Sequence, residues 1–593
     1  MKNKLSYPLL FINLLLSICL VGCQPNHVES ISVDTAMDSI VSRLYLEKDS
    51  EDLSQLNHRD VLDFLRDEEK DALARNYWVF GVNQPVRVSL MRDKAQKEIP
   101  FWLSESGFQL TEMVVKNEHA TYEVWQKHFE KGMVRLGING FDMHRPVYFI
   151  SVTPIEKINP LEIDPVFPEN QQFQTMEEGA FTYHDWDGLK IKEVPASMIG
   201  EILFTTIRGR AREAHLLDAF RRTEFPSGNH ADQLLLTWEG SARYSISIQC
   251  RTNPQAGNVS LEYWQKGKAQ KQISQAEQFL MEDRLLVNDR YINRNTFRLD
   301  SLLPNTVYEY RIITENGNSS DVFSFKTAPD SIEDFSFLWF GDMHNDMKTG
   351  GMYQKALHRF PESAFVLNSG DLVGTGLYRN DWDQFFGSLG KAAAQTPLMA
   401  VPGNHDSQDG LGAWMFREMF DYPKNGPNKD FEEFTYQFSY SNALFIMIDG
   451  TLPIKEQTTW LEQTLKSHPA KWKILTIHFP PFNSKEPYED IQREWLPILE
   501  KYGIDLVLSG HFHYYMRSKP LREFYDSKHQ TVFVHSASTK GKGYEGEKSR
   551  GDFAAIELPN DYMYQKIDIS SNTLKLQAFD FNGKLLDSFQ LKK

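Results

Sequence analysis

At 593 residues the chain is too long for one hydrophobic core, and the usual domain size of about 100–200 residues divides it into roughly three to five. Its 80 acidic residues against 64 Lys and Arg give a net charge of −16, which argues against binding nucleic acid or anionic lipid through bulk charge. Three cysteines, Cys19, Cys23 and Cys250, leave no room for a disulfide framework, and Cys250 reads as a small buried hydrophobe.

The first residues form a targeting segment. Lys2 and Lys4 precede an apolar run from Tyr7 to Leu20, and about fifteen apolar residues suit a signal h-region better than a membrane span. Leu20-Val21-Gly22-Cys23 resembles the bacterial lipobox. That resemblance implies a lipoprotein signal peptide over residues 1–23, lipidation of Cys23, and a cell-envelope protein held on a membrane by its acyl chains. Gln24 fits export to an outer membrane, facing the periplasm or the surface.

Residues 24–76 read as a tether and a helix, with Asn57 to Asn76 carrying Val61, Leu62, Leu65 and Leu73 on one face. Residues 77–155 alternate β-branched and aromatic residues with polar ones and predict a β-rich domain, with Trp78, Trp102 and Trp125 in its core. Residues 156–228 read as an irregular connector with one short helix from Arg208 to Leu217. Residues 229–328 hold short strands separated by turn residues, the pattern of a β-sandwich. From 331 to 593 strands and helices alternate, the pattern of a layered α/β domain.

Five motifs follow strands of this last region: Gly341-Asp342-Met343-His344, Gly370-Asp371, Gly403-Asn404-His405-Asp406, Ile477-His478 and Gly510-His511-Phe512-His513. Asp, Asn and His are the side chains that bind Mn, Fe or Zn at neutral pH, whereas a structural zinc site would show thiolates. Because each motif ends an apolar run, the ligands are expected to meet at one edge of one sheet. A single Gly-Asp or His-x-His pair would be weak; all five in this order are specific.

The order resembles the calcineurin-like metallophosphoesterase family. The sandwich before it, with its Leu302-Leu303-Pro304-Asn305-Thr306-Val307-Tyr308-Glu309-Tyr310 corner of fibronectin type III kind, brings the resemblance closer to the purple acid phosphatases. It covers about residues 231–593, and Gly510-His511-Phe512-His513-Tyr514-Tyr515-Met516-Arg517-Ser518-Lys519-Pro520 extends it beyond the ligands. The fold it implies is a multidomain α/β plus β protein. A C-terminal four-layer α/β/β/α domain follows a fibronectin III-like sandwich and an N-terminal β-rich region.

The implied site holds two divalent metal ions, Mn, Fe or Zn. Asp342, His344, Asp371 and His513 would hold one; Asp371, Asn404, His478 and His511 would hold the other, with Asp371 bridging. The implied reaction is in-line attack of a bridging hydroxide on a phosphate ester, with His405 at the leaving oxygen and Asp406 orienting it. Purple members carry Asp-x-Gly at the first motif and a tyrosine three residues after the bridging Asp. Here the positions are His344 and Gly374, so a purple ferric phenolate is not expected. The purple-type sandwich favours phosphate monoesters. Phosphodiesters or nucleotides are the alternative on the same site, and a catalytically silent surface-binding lipoprotein is the alternative of another class.

Overall fold

The computed structural model describes residues 31–156, 159–168, 171–184, 189–408, 411–483, 488–522, 529–540, 553–559 and 561–593; Cys23 and the leader lie outside them. Upstream of the β-rich region the chain forms a helix, Val33–Glu47, in which Val33, Met37, Ile40, Val41 and Leu44 recur at helical spacing and are buried. Ser32 caps it by accepting from Thr35 N. The helix expected over Asn57–Asn76 is two, His58–Phe64 and Asp67–Arg75. The break falls at Leu65, which is extended, and the buried Glu69 carboxylate then accepts from Arg66 N and pairs with Arg43. A capped second start replaces continuation.

The irregular connector expected over 156–228 is instead largely sheet. Gln172–Thr175, Phe181–His184, Leu189–Glu193 and Ile202–Ile207 join Val86–Asp93, Gln109–Asn117, Thr121–Phe129 and Phe149–Pro154 in one eight-stranded sheet. The sheet closes on itself where Ile202–Phe204 pairs with Ile150–Val152. Leu189–Glu193 has only Ile191 buried, so its residues carry no apolar run to read. The helix expected at Arg208 is a short 3₁₀ turn, Arg208–Arg212.

Residues 232–326 form two four-stranded antiparallel sheets. Tyr308 Oη accepts from Leu303 N at 3.0 Å, the corner that its sequence announces. Cys250 is buried between the sheets, where desolvation pushes its thiol up to about 12.

The C-terminal region stacks two sheets face to face. One runs in the order Leu398–Ala400, Val366–Asn368, Phe335–Phe340, Met563–Ile569, Thr573–Asp580, Leu585–Lys592. The other runs Tyr436–Tyr440, Ala443–Ile448, Trp472–Ile477, Leu506–Ser509, Val532–His535, Tyr515–Ser518, Ala554–Leu558. Helices Ile454–Ser467 and Glu489–Tyr502 bury Leu461, Leu465, Trp495 and Leu499 against the second sheet. Helices Met347–Arg359 and Arg379–Leu389 pack with the first, giving an α/β/β/α order. Strands 335–340, 366–368 and 398–400 are mutually parallel, as are 443–448, 472–477, 506–509 and 532–535. Each set therefore presents its carboxyl ends on one side.

Candidate metal centre

The candidate ligands come from two sheets and not from one edge of one sheet. Asp342, His344, Asp371 and Asn404 follow the first sheet's parallel strands; His478, His511 and His513 follow strands of the second. The reason is pairing: Phe335–Phe340 takes Met563–Ile569 as its other neighbour, which shuts the first sheet before the 472–477 strand can join it. Face-to-face stacking then brings the two sets of strand ends together.

All seven side chains meet. His513 Nε2 lies 3.1 Å from Asp342 Oδ2, and His344 Nε2 lies 3.3 Å from His513 Nε2 and 3.7 Å from Asp371 Oδ2. On the other side His478 Nε2 is 3.3 Å from Asp371 Oδ2 and 2.9 Å from Asn404 Oδ1, and His511 Nδ1 is 2.9 Å from the same amide oxygen. Asp371 Oδ2 is thus common to both groups. The other oxygens are anchored: Asp342 Oδ1 accepts from His511 N at 2.8 Å and Asp371 Oδ1 from His405 N at 2.9 Å. Two glycines make the approach possible, since a Cβ at Gly403 would overlap Asp371 Oδ1 and one at Gly510 would overlap Asp342 Oδ1. Asp371, His344 and His511 also hold φ of 56°, 47° and 72°, a left-handed conformation that costs a non-glycine residue about 1–3 kcal/mol.

His478 Nδ1 donates to Ser369 O at 2.9 Å, which leaves Nε2 as the nitrogen turned toward Asn404 Oδ1 and Asp371 Oδ2; a bound cation would take the place of a proton there. Asp342 Oδ2 is buried and faces His513 Nε2 at 3.1 Å and His344 Nε2 at 4.0 Å. Burial opposes charge on Asp371, but His478 and His405 outweigh it and hold its carboxyl well below the usual range. Burial likewise disfavours a His478 cation, yet Asp371 and Asp342 carry it up to about 9. Desolvation pushes His344 down to about 4 and His511 to about 3, so both imidazoles are neutral donors of lone pairs at pH 7. Converging O and N lone pairs around two ionised carboxylates fit divalent cations of the Mn, Fe or Zn kind.

His405 sits beside the ligands, its ring 4.7 Å from that of His344 and exposed to solvent. Its expected partner needs correction. Asp406 does not touch the His405 ring among the described residues; its buried carboxylate accepts from Gly403 N at 2.9 Å and from Leu372 N and Val373 N at 3.2 Å. The side chain points back into the loops, where it serves these three backbone N–H groups, and burial with the Asp371 charge lifts it to about 7. The ring is held by Gly374 O, 2.7 Å from Nδ1. No sequence signal marks a backbone carbonyl. The only hint is Gly374 itself, standing where a phenolate would stand in purple members. Asn345 and Asp346 serve the turn: Asn345 Oδ1 accepts from Gly374 N at 2.8 Å, and Asp346 caps the 347–359 helix. His535 is buried beneath the site against the Tyr514 ring, 4.5 Å between centroids.

Comparison with known proteins agrees with this geometry. Residues 335–515 match the family described as calcineurin-like phosphoesterase, and residues 231–327 match the purple acid phosphatase N-terminal domain. A probable purple acid phosphatase of Arabidopsis thaliana is 26% identical over 305 residues, which cover 48% of this chain and 66% of that protein. An uncharacterized protein of Mycobacterium tuberculosis is 25% identical over 272 residues, 38% of this chain and 51% of the other. The chain thus spans between half and two thirds of the length of these relatives. A purple acid phosphatase from yellow lupin seeds shares the fold, with a TM-score of 0.52 at 16% identity over 88% of this chain and 94% of that one.

Proposed function

We propose that this chain, which joins a calcineurin-like phosphoesterase domain to a purple acid phosphatase N-terminal domain, is a dinuclear metal-dependent phosphomonoesterase anchored in the cell envelope. The observation that carries the chemistry is the single carboxylate oxygen, Asp371 Oδ2, lying within 3.7 Å of His344 and 3.3 Å of His478 at the junction of two ligand groups. Asp342, His344, Asp371 and His513 would hold one cation, and Asp371, Asn404, His478 and His511 the other. Two cations there supply Lewis acidity toward phosphoryl oxygens and a nucleophile at neutral pH. The protein's own part is orientation. Ser369 O fixes the His478 tautomer, and the glycines let Asp342 and Asp371 keep one oxygen each on backbone N–H groups while turning the other inward.

His405 is the acid for the leaving oxygen. Nδ1–H donates to Gly374 O, which leaves Nε2 free, and an imidazolium carries its second proton there. The purple acid phosphatase-type sandwich supports monoesters. Turnover of para-nitrophenyl phosphate well above that of its bis-ester is expected; dominant bis-ester cleavage would make the protein a phosphodiesterase. Metal analysis of the protein lacking residues 1–23 identifies the ion pair. Anchoring follows from the lipobox-like Leu20-Val21-Gly22-Cys23, and palmitate labelling that survives Cys23→Ala would refute it.

A further inference from the structure

The stretch that steadies His405 is gripped from outside the 331–593 region, and we infer that Arg221 is a positioning residue for His405. The inference rests on the reading of His405 as the leaving-group acid. His405 depends on one short segment twice over: its Nδ1 donates to Gly374 O at 2.7 Å, and its own carbonyl accepts from Gly376 N at 2.9 Å. Two residues on, the Tyr378 ring lies under the Arg221 guanidinium, 4.0 Å from carbon to centroid, and its hydroxyl is 3.3 Å from Arg212 Nη1. Arg221 also donates to Asn380 Oδ1 and holds both oxygens of Asp283 at 3.0 Å. Asp283 in turn accepts from Arg379 N at 3.3 Å.

One guanidinium therefore holds three consecutive residues: Tyr378 through its ring face, Arg379 through Asp283, and Asn380 directly. The helix Arg379–Leu389 needs this, because Tyr378 in its capping position makes no side-chain cap. The clamp is itself rigid. Arg221 N donates to Leu285 O at 2.8 Å and Val287 N donates to Arg221 O at 3.0 Å, so its backbone is pinned to the segment that carries Asp283. A planar fork of five donors with a stackable face is what the task requires; a lysine ammonium offers neither the fork nor the face. A group displaced by about 1 Å can lose on the order of 100-fold in rate. The clamp is built to prevent that displacement.

The test uses the full metal-loaded chain with Arg221→Ala and Arg221→Lys, and Arg92→Ala as a control that removes an ion pair with Glu123 in the upstream sheet. Para-nitrophenyl phosphate, whose leaving group departs without a proton, is compared with an alkyl phosphate, whose leaving group needs one. Arg221→Ala is expected to lose at least tenfold more kcat on the alkyl ester than on the aryl ester. Arg221→Lys should behave nearly the same, and Arg92→Ala should keep the parental ratio. Equal losses on both esters overturn the inference. Hydrogen exchange gives a readout independent of turnover: amides in 374–379 should lose protection in Arg221→Ala, and parental protection there overturns it as well. A parent protein that cleaves neither ester sinks the acid reading instead, while the exchange arm still decides whether Arg221 holds the segment.

Discussion

Two clusters of buried ionisable groups in this chain obey opposite rules. Beside the helix Arg379–Leu389, Arg251, Arg379, Asp383 and Asp289 are all less than a tenth exposed, and every carboxylate faces a guanidinium. Arg251 lies 2.6 Å from Asp383, and Arg379 lies 3.3 Å from Asp383 and 3.1 Å from Asp289. In the ligand cavity, two carboxylates meet four imidazoles and an amide oxygen, and at the closest approaches ring nitrogens face the amide oxygen or one another. The first cluster is balanced by its own members. The second is balanced by protons taken up on its imidazoles or by cations in their place. Burial is common to both, so burial does not mark function; the donor and acceptor types at the contacts do.

Substitution puts that contrast to the test. Asp371→Asn keeps the shape of the shared ligand and removes its charge. Bound metal, measured by elemental analysis, should fall from two ions per chain to one or none, and kcat/KM should drop by about 10³-fold or more, the scale of several kcal/mol of metal stabilisation. Full metal retention would make the cavity a second self-balanced cluster and end the contrast. His405→Ala should lose about 10²–10⁴-fold in kcat while keeping both metals. Metal loss in that variant would turn His405 from an acid into a ligand.

That these seven side chains gather was legible because each closes an apolar run behind a glycine or a strand end, and strand ends gather where parallel strands point. What escaped was relational. That Asp406 serves three backbone N–H groups, while Gly374 O holds the ring of His405, depends on loop paths that no spacing records. The division of ligands between two sheets depends on Met563–Ile569 returning to pair with Phe335–Phe340 across more than two hundred intervening residues, a non-local choice. Among the strands of 172–207, Gln172–Thr175 buries none of its residues and Leu189–Glu193 only Ile191, so burial leaves no apolar face to read there, whereas Ile202–Ile207 is an apolar run that was within reach. The helix Val33–Glu47 was within reach: Val33, Met37, Ile40 and Leu44 after Ser32 give both the period and the cap.

The self-balanced cluster predicts a stability effect without a metal effect. Arg251→Met leaves Asp383 and Asp232 without the guanidinium that lies 2.6 Å from each, and breaking a buried pair on one side costs about 3–5 kcal/mol. Urea unfolding should report that loss with metal content unchanged. A carboxylate between the two extremes supplies the smallest effect. Glu433 is 7% exposed, and its nearest cations, Arg417 Nε at 3.8 Å and Lys424 Nζ at 3.9 Å, are too far for hydrogen bonds. Burial pushes its carboxyl from 4.5 up to about 7. The native state thus keeps this proton to a higher pH than the unfolded chain does, so stability falls as pH rises from 4.5 toward 7 and levels off above. At about 1.4 kcal/mol per pKa unit the ceiling is roughly 3 kcal/mol, and the nearby cations and residual water reduce the expected value to about 1–2. Glu433→Gln should therefore unfold later in urea than the parent at pH 8 and together with it at pH 4.5. A gain at pH 4.5 as large as at pH 8 would mean that the side chain acts through packing, and that distance from its cations does not set its charge.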